Sequence, residues 1–251
     1  MSEKLERKSQ CEVKLLHFTP LWVGSDGTRT CWDSGEKSDT VFFKEEWNYD
    51  DMTLVPCSRE EHSEYQMGEA DKALIDRVGN KYKHASTLEH LYYNFHIKGI
   101  SRACLQELAR HRIASPSVKS TRYTLKELKS EEQFNDFDNE FDFKRASKYV
   151  VWTGNHDVDI TIFFMLEDLR DLIAKGISND IAKFALPEAY KTELAWSINA
   201  RSLQNFLALR TNKAALWEIR ELAYEVYDQI PQEHKFLFED TLYQPKETEG
   251  N

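Results

Sequence analysis

Residues 89–98, EHLYYNFHIK, constrain the fold more than any other stretch of the chain. Leu91, Tyr93, Phe95 and Ile97 fall on one face, and His90, Tyr92, Asn94, His96 and Lys98 on the other. That period of two marks a half-buried strand with one polar face. Gly99 reads as its end and Ser101 as the cap of a helix over about 102–111, with Leu105, Leu108 and Ala109 as its apolar side. Strand and helix signals therefore stand side by side, and the chain is read as a helix-rich α+β protein.

The rest of the chain fills in unevenly. CEVKLLHFTP, residues 11–20, reads as an opening strand. Residues 21–58 mix aromatics with Gly, Ser and Asp and are read as an insertion or an edge structure. A helix is expected over 59–78, and a loop from Asn80 to Ser86 and Thr87. Pro116 and its neighbouring serines impose a loop after the 102–111 helix. Residues 127–148, with the run FNDFDNEFDF, read as a solvated excursion whose phenylalanines pack locally at most. Ile160, Phe163, Phe164, Leu166 and Leu169 recur at helical spacing over 157–175, and Gly176 stops that helix. Ser178, Asn179 and Asp180 cap a short helix that Pro187 ends. Two further helices are expected over 189–209 and 213–230, the second with the stripe Leu216, Ile219, Leu222, Ala223, Val226 and Ile230. The reading is of one domain over 1–235 and a polar tail over 236–251. GxGxxG and GxxxxGK[ST] are both absent, so a Rossmann fold has no support.

Charge narrows the partners. The chain has 251 residues and a formal charge of −10, which argues against a general affinity for nucleic acid. No 18-residue apolar run is present, so no membrane span is expected. The opening MSEKLERKSQ is polar, and a cytoplasmic protein is the simplest expectation. Cys11, Cys31, Cys57 and Cys104 form no CxxC pair and suggest neither zinc nor a disulfide framework. Cys104 reads as a small buried hydrophobe. His84, His90 and His96 recur every six residues, but His90 and His96 lie about 20 Å apart along a strand, too far for one zinc site.

Against that acidic background one segment stands out. From Leu108 through Lys126 the chain carries Arg110, Arg112, Lys119, Arg122 and Lys126 and no carboxylate. Guanidinium groups grip phosphate through paired, charge-assisted hydrogen bonds, and hydroxyls and loop amides complete such sites. By charge alone the segment is equally a basic surface turn or a weak RNA-binding patch.

Its residues resemble those of the flavin-dependent thymidylate synthases. That family carries Arg-His-Arg, seven residues, then Ser; here stand Arg110-His111-Arg112 and Ser120, with Arg122 and Tyr123 beyond. His84-Ala85-Ser86-Thr87-Leu88-Glu89-His90 resembles its upstream His-Glu-Thr-Pro-Phe-Glu-His block. Asn199-Ala200-Arg201 through Asn205 and Arg210 resembles its C-terminal block. Three blocks agree in order and spacing over about 80–230.

The resemblance implies a single α+β domain with an antiparallel sheet and an enzyme that converts dUMP to dTMP. It uses bound FAD, with NADPH and 5,10-methylenetetrahydrofolate as cosubstrates, in a homotetramer with shared active sites. It implies flavin contacts at His84, Ser86, Arg110, His111, Arg112, Val118, Asn199, Arg201 and Asn205. Nucleotide contacts are implied at Glu107, Arg110, Val118, Lys119, Ser120, Thr121, Arg122, Lys183 and Arg210. Arg210 is the catalytic candidate, since an arginine by the uracil stabilises charge that develops on N3 and O2. Ser120 is read as a binding group, because no base is placed beside it. Some positions depart from the commoner pattern. Ser117-Val118 replace Asn-Glu, Glu107 stands where many members have Gln, Lys183 replaces an Arg, and Ser86-Thr87 replace Thr-Pro. A non-catalytic nucleotide- or RNA-binding protein, and a flavoprotein acting on another pyrimidine nucleotide, are the competing readings.

Overall fold

A computed structural model describes residues 11–48 and 52–244. The chain runs β1 (Glu12–Phe18), α1 (Leu21–Cys31), β2 (Val41–Asn48), β3 (Thr53–Cys57), β4 (Glu64–Gln66) and α2 (Glu69–Ile75). Then come β5 (Tyr92–Ser101), α3 (Arg102–Leu108), β6 (Ala114–Val118), α4 (Thr121–Thr124), α5 (Lys126–Lys129) and α6 (Glu140–Ala146). It ends with α7 (His156–Ala174), α8 (Asn179–Ala182), β7 (Lys191–Asn199), α9 (Ala200–Arg210) and α10 (Trp217–Asp228). One sheet has the order β1-β5-β7-β6 and a second the order β3-β2-β4. The second is antiparallel, with Phe42 opposite Cys57 on one side and Tyr65 on the other. This is an α+β fold and not a doubly wound Rossmann sheet.

The chain divides into two compact units. Unit 1 holds 95–197 and 209–229 with the start of β1; unit 2 holds 16–94, 198–208 and the residues from 230 on. In unit 1, Phe134, Phe137, Trp152, Phe163, Leu166, Leu169 and Tyr190 form one apolar cluster. Each such side chain removed from water contributes about 1.5–3 kcal/mol. In unit 2, Tyr93 is fully buried against Phe238, and its hydroxyl meets Nδ1 of buried His234 at 2.7 Å.

The central strand forms where its alternation places it, with Leu91, Tyr93, Phe95 and Ile97 all buried. Helix α7 also matches, and Gly176 terminates it at φ +88°, a conformation glycine adopts without a Cβ clash. Other expectations are corrected. Gly99 does not end β5. It takes φ 76° inside the strand, which continues to Ser101. Residues 114–118 are not a loop but β6, and Pro116 is tolerated there because β6 lies at the sheet's edge. Residues 59–68 are a short turn and β4, so the helix expected over 59–78 begins only at Glu69.

The expected 189–209 helix is in fact β7 and then α9. Thr192, Leu194, Trp196 and Ile198 alternate inward along the strand, and that period of two outweighs the helical reading. Residues 21–58 supply α1 and two strands. The excursion over 127–148 buries Phe134 and Phe137 instead of leaving them in solvent. It can do so because Arg145, itself 8% exposed, bonds Asp142 at 2.7 Å, Glu131 at 3.2 Å and two backbone carbonyls. The charges of that stretch are thus satisfied locally. Leu216 of the α10 stripe is exposed. In the segment expected to be a polar tail, Leu237 and Phe238 are buried; 245–251 lie outside the described residues. Among the described residues no helix is long and apolar enough to cross a membrane.

Candidate active site

In unit 1 the site residues hang from two helix ends. Ser101 caps α3: its Oγ accepts from Cys104 N at 3.0 Å. Buried Glu218 fastens that cap, accepting from Ser101 N at 2.6 Å and from the Ser101 hydroxyl. Cys104 is fully buried, and burial raises its thiol pKa strongly, so it is a packing residue and no nucleophile.

The fixed helix carries Glu107 to its last turn, where it meets Arg210 at the end of α9. Arg210 Nη1 donates to Glu107 Oε2 at 2.7 Å and Nη2 to the Glu107 carbonyl at 3.0 Å. Arg210 Nε donates to His111 Nε2 at 2.9 Å. The acceptor role fixes His111 as the neutral tautomer with its proton on Nδ1. Burial, then the charges of Arg210 and Arg110, push the His111 pKa down to about 4. Arg110 lies outside this knot, 3.7 Å from Glu107 and largely exposed. Arg112 is exposed as well.

Beyond the knot the chain enters β6. Lys119 N donates to Glu193 O at 2.8 Å, which holds the strand against β7. Val118 and Ser120 are exposed, and Thr121 is half-buried at the start of α4. Arg122 is forked onto Asp180, at 2.5 and 3.1 Å, and Asn179 Nδ2 donates to its carbonyl at 2.7 Å. Both partners of this ion pair are more than half exposed. Such a pair is worth less than about 1 kcal/mol, so an incoming phosphate can replace the carboxylate. Lys183 sits 5.7 Å from the Phe184 ring centre.

In unit 2 the remaining two blocks meet. A π-turn over Asp76–Lys81 follows α2, and Lys83 takes φ 57°. That conformation costs about 1–2 kcal/mol for a residue with a Cβ. It delivers His84, whose N–H bonds the Val78 carbonyl at 3.0 Å. His84 and Ser86 are exposed at the start of the short helix Ala85–His90. From that turn Glu89 accepts from Arg201 Nη1 at 2.6 Å. Arg201 and Asn205 stand exposed on α9. Asn199 is the buried last residue of β7, and its Oδ1 caps α9 by accepting from Ser202 N at 2.9 Å. Asn199 is therefore a strand-end cap and does not share helical spacing with Arg201, contrary to expectation.

The family model for thymidylate synthase complementing protein matches residues 28–234. A flavin-dependent thymidylate synthase of Campylobacter jejuni strain RM1221 is 55% identical over 232 residues, covering 92% of this chain and 98% of its own. That of Helicobacter pylori strain 26695 is 50% identical over 232 residues, covering 92% and 99%. The chain belongs to the flavin-dependent thymidylate synthases. A crystal structure of thymidylate synthase X from Helicobacter pylori with FAD and dUMP superimposes with a TM-score of 0.79 at 48% identity. It covers 93% of this chain and all of that one. Cys104 is buried, and the chemistry-bearing groups of the three blocks include guanidinium, imidazole, amide and hydroxyl.

Sequence reasoning missed two residues that shape this flavin-dependent thymidylate synthase. Glu89 anchors Arg201; it lies within the 84–90 block and is the only acid there. Glu218 fastens the α3 cap from 117 residues away in sequence, and no local signal points to it.

Proposed function

We propose that this protein reductively methylates dUMP to dTMP in the cytoplasm as a homotetramer with shared active sites. It uses FAD, with NADPH and 5,10-methylenetetrahydrofolate as cosubstrates, and takes no nucleic-acid or membrane partner. Residues 1–235 form the catalytic domain. The observation that carries the reading is Arg210, a guanidinium held on three sides inside the family's signature residues.

The donor set suits FAD. In unit 1 the exposed guanidinium groups of Arg110 and Arg112 match a diphosphate, and in unit 2 Arg201 offers another exposed guanidinium. His84, Ser86 and Asn205 offer imidazole, hydroxyl and amide groups to a flavin ring, and so does the neutral imidazole of His111 with its Nδ1–H. Asn199 contributes its amide nitrogen, and Val118 only its backbone. When bound, FAD supplies the redox chemistry that couples NADPH oxidation to completion of the new methyl group.

The chain's own work is positioning and polarisation. Three of the five N–H groups of Arg210 are spent on Glu107 and His111, and two remain for uracil N3 and O2. Because the fork is already fixed, it stabilises developing negative charge there without reorganisation, which makes uracil C5 a better nucleophile. Neutral His111 lets Arg210 keep a cation's full charge beside an uncharged neighbour. The phosphate of dUMP is taken by Arg122 in exchange for Asp180, with Arg110, Lys119, Ser120, Thr121 and Lys183 around it. Glu107 orders the nucleotide site through Arg210. Phe164 and Met165 on α7, and Ile181 and Phe184 around α8, are exposed, with Phe184 at 85%. Apolar residues left bare in this number support self-association, with Lys183 carried into a partner's site.

Anaerobic turnover with dUMP, methylenetetrahydrofolate, NADPH and FAD, each omitted in turn, tests the reading. Formation of dTMP that requires all four is the expected result. A folded, FAD-bound protein that forms none sinks the assignment.

A further inference from the structure

Unit 1 has a cleft of about 290 Å³ walled by Lys98, Lys119, Lys148 and Lys191 with the rings of Tyr149 and Tyr190. In a chain of charge −10, four ammonium groups around one cavity need an explanation. Two carboxylates share the wall, and a third, Glu131, lies 3.4 Å from Lys148. Glu127 lies 3.8 Å from Lys119, and Glu193 lies 2.7 Å from His96. Lys98 makes no ion pair among the described residues. Lys191 is half-buried and donates to the Ser147 carbonyl at 2.7 Å. Burial pushes its ammonium pKa below the usual lysine range, so an anion brought beside it would favour the charged form.

The cleft adjoins the proposed nucleotide site and shares two of its residues. Lys119 and Thr121 line it, whereas Val118, Ser120 and Arg122 do not. Alternate residues of an extended segment point to opposite sides. The cations are all lysines, which act as separate point charges on flexible stems, whereas a single phosphate or carboxylate group is better met by an arginine fork.

We propose that this cleft is a second anion site, which takes the acidic tail of a small molecule carrying several separated carboxylates or phosphates. Because its wall includes Lys119 and Thr121, the chain neighbours of Ser120, the glutamate-bearing tail of the folate cosubstrate is the first source. That identification rests on the proposed function, while the anion site itself does not. A phosphate-bearing effector is the other source of the same chemistry.

The test compares equilibrium binding of monoglutamyl and γ-linked triglutamyl tetrahydrofolate to the FAD-loaded enzyme, with inorganic pyrophosphate as a separate probe. The comparison is made in the native protein and in the double variant Lys98→Gln/Lys148→Gln. Lys98 is exposed, and Lys148 gives up only a long pair to Glu131, which keeps Arg145 at 3.2 Å, so melting temperature and FAD affinity should be retained. The expected result is about tenfold tighter binding of the triglutamyl form at low salt, erased by the double variant and by high salt. Equal binding of the two folates, with pyrophosphate binding that the double variant abolishes, keeps the anion site and assigns it to phosphate. Equal folate binding with no pyrophosphate binding overturns the proposal, as does a triglutamyl advantage that survives the double variant. If the native protein binds no folate at all, the proposed function fails, and the pyrophosphate arm alone decides the cleft.

Discussion

Replacing Arg210 separates its structural and chemical work. The side chain makes three hydrogen bonds, one of them charge-assisted to Glu107 at 2.7 Å. Arg210→Gln loses that bond and leaves Glu107 without its main cation. A hydrogen bond to a charged group contributes about 1.5–3 kcal/mol. Glu107 is 32% exposed and regains water, so a stability loss of about 1–2 kcal/mol is expected. Arg210→Lys keeps the charge and one bond to Glu107 but cannot also hold His111 and present two donors to a uracil. Losing a preorganised donor at developing charge costs about 2.7–4 kcal/mol, or about 10²–10³ in kcat, with dUMP affinity much less affected. The assay is single-turnover dTMP formation under anaerobic conditions beside equilibrium dUMP binding. His111 gives an independent readout by NMR titration. Its pKa of about 4 is set mainly by burial and then by Arg210, so Arg210→Gln should raise it while leaving it below about 6.5. Near-native turnover in both variants would refute the catalytic role. An unmoved His111 would refute the electrostatic one.

Asn199→Ala removes the α9 cap and should cost about 1 kcal/mol. Because Arg201 and Asn205 ride on α9, FAD affinity measured by fluorescence quenching should fall too, and unchanged affinity would detach the cap from the cofactor site. Arg145→Ala leaves buried Asp142 without its cation and Glu131 with only Lys148, 3.4 Å away. A loss of about 3–5 kcal/mol is expected in urea unfolding, and a loss under about 1 kcal/mol would show that water reaches the pair. His234 is fully buried, and burial lowers its pKa to about 4 against about 6.5 unfolded. The fold holds it neutral, so its contribution is complete above about pH 6.5 and is lost as pH falls towards 4, by about 3 kcal/mol in total. Denaturation curves at about pH 7 and about pH 4.5 should differ accordingly, and His234→Gln should remove that part of the slope. Glu107→Gln loosens Arg210 and should lower kcat about tenfold. Addition of Val118→Glu should recover part of it, and no recovery would deny that the two positions trade one charge.

The legible parts of this molecule are those with an unbroken period. Strand β5 and helix α7 each repeat their pattern over enough residues to leave one reading, and each forms nearly where expected. Strand β7 is obscured by its direct junction with α9. Residues 191–210 hold apolar groups throughout and no Gly or Pro at the junction. The switch from period two to period 3.6 at Asn199 and Ala200 therefore carries no punctuation, and the buried Asn199 cap that makes the switch looks like any polar residue. Phe134 and Phe137 are hard to read for a different reason. Their neighbours are acidic, and burial becomes possible only through Arg145, whose ties to Asp142, Glu131 and two carbonyls are tertiary. Local composition cannot report such satisfaction.

The site divides in the same way. Its residue types are legible because three blocks keep their order and spacing, but the bonds among them are not. Resemblance places a Gln at position 107 and a Glu at 118 in many members, whereas this chain has Glu107 and Val118. Taken separately, these look like one gained and one lost acid. The structure shows what the acid at 107 does: it anchors Arg210 directly. Exposed Val118 cannot compensate any cation. The carboxylate count over the two positions is thus kept, while the charge moves from the β6 rim to the base of the arginine. A similar logic covers Arg122. Its exposed pairing with Asp180 keeps the guanidinium oriented at small energetic cost, and the pair is weak enough for a dianion to displace. A site that must fill and empty each turnover needs anchors of both kinds, a strong one under the group that polarises and weak ones under the groups that bind.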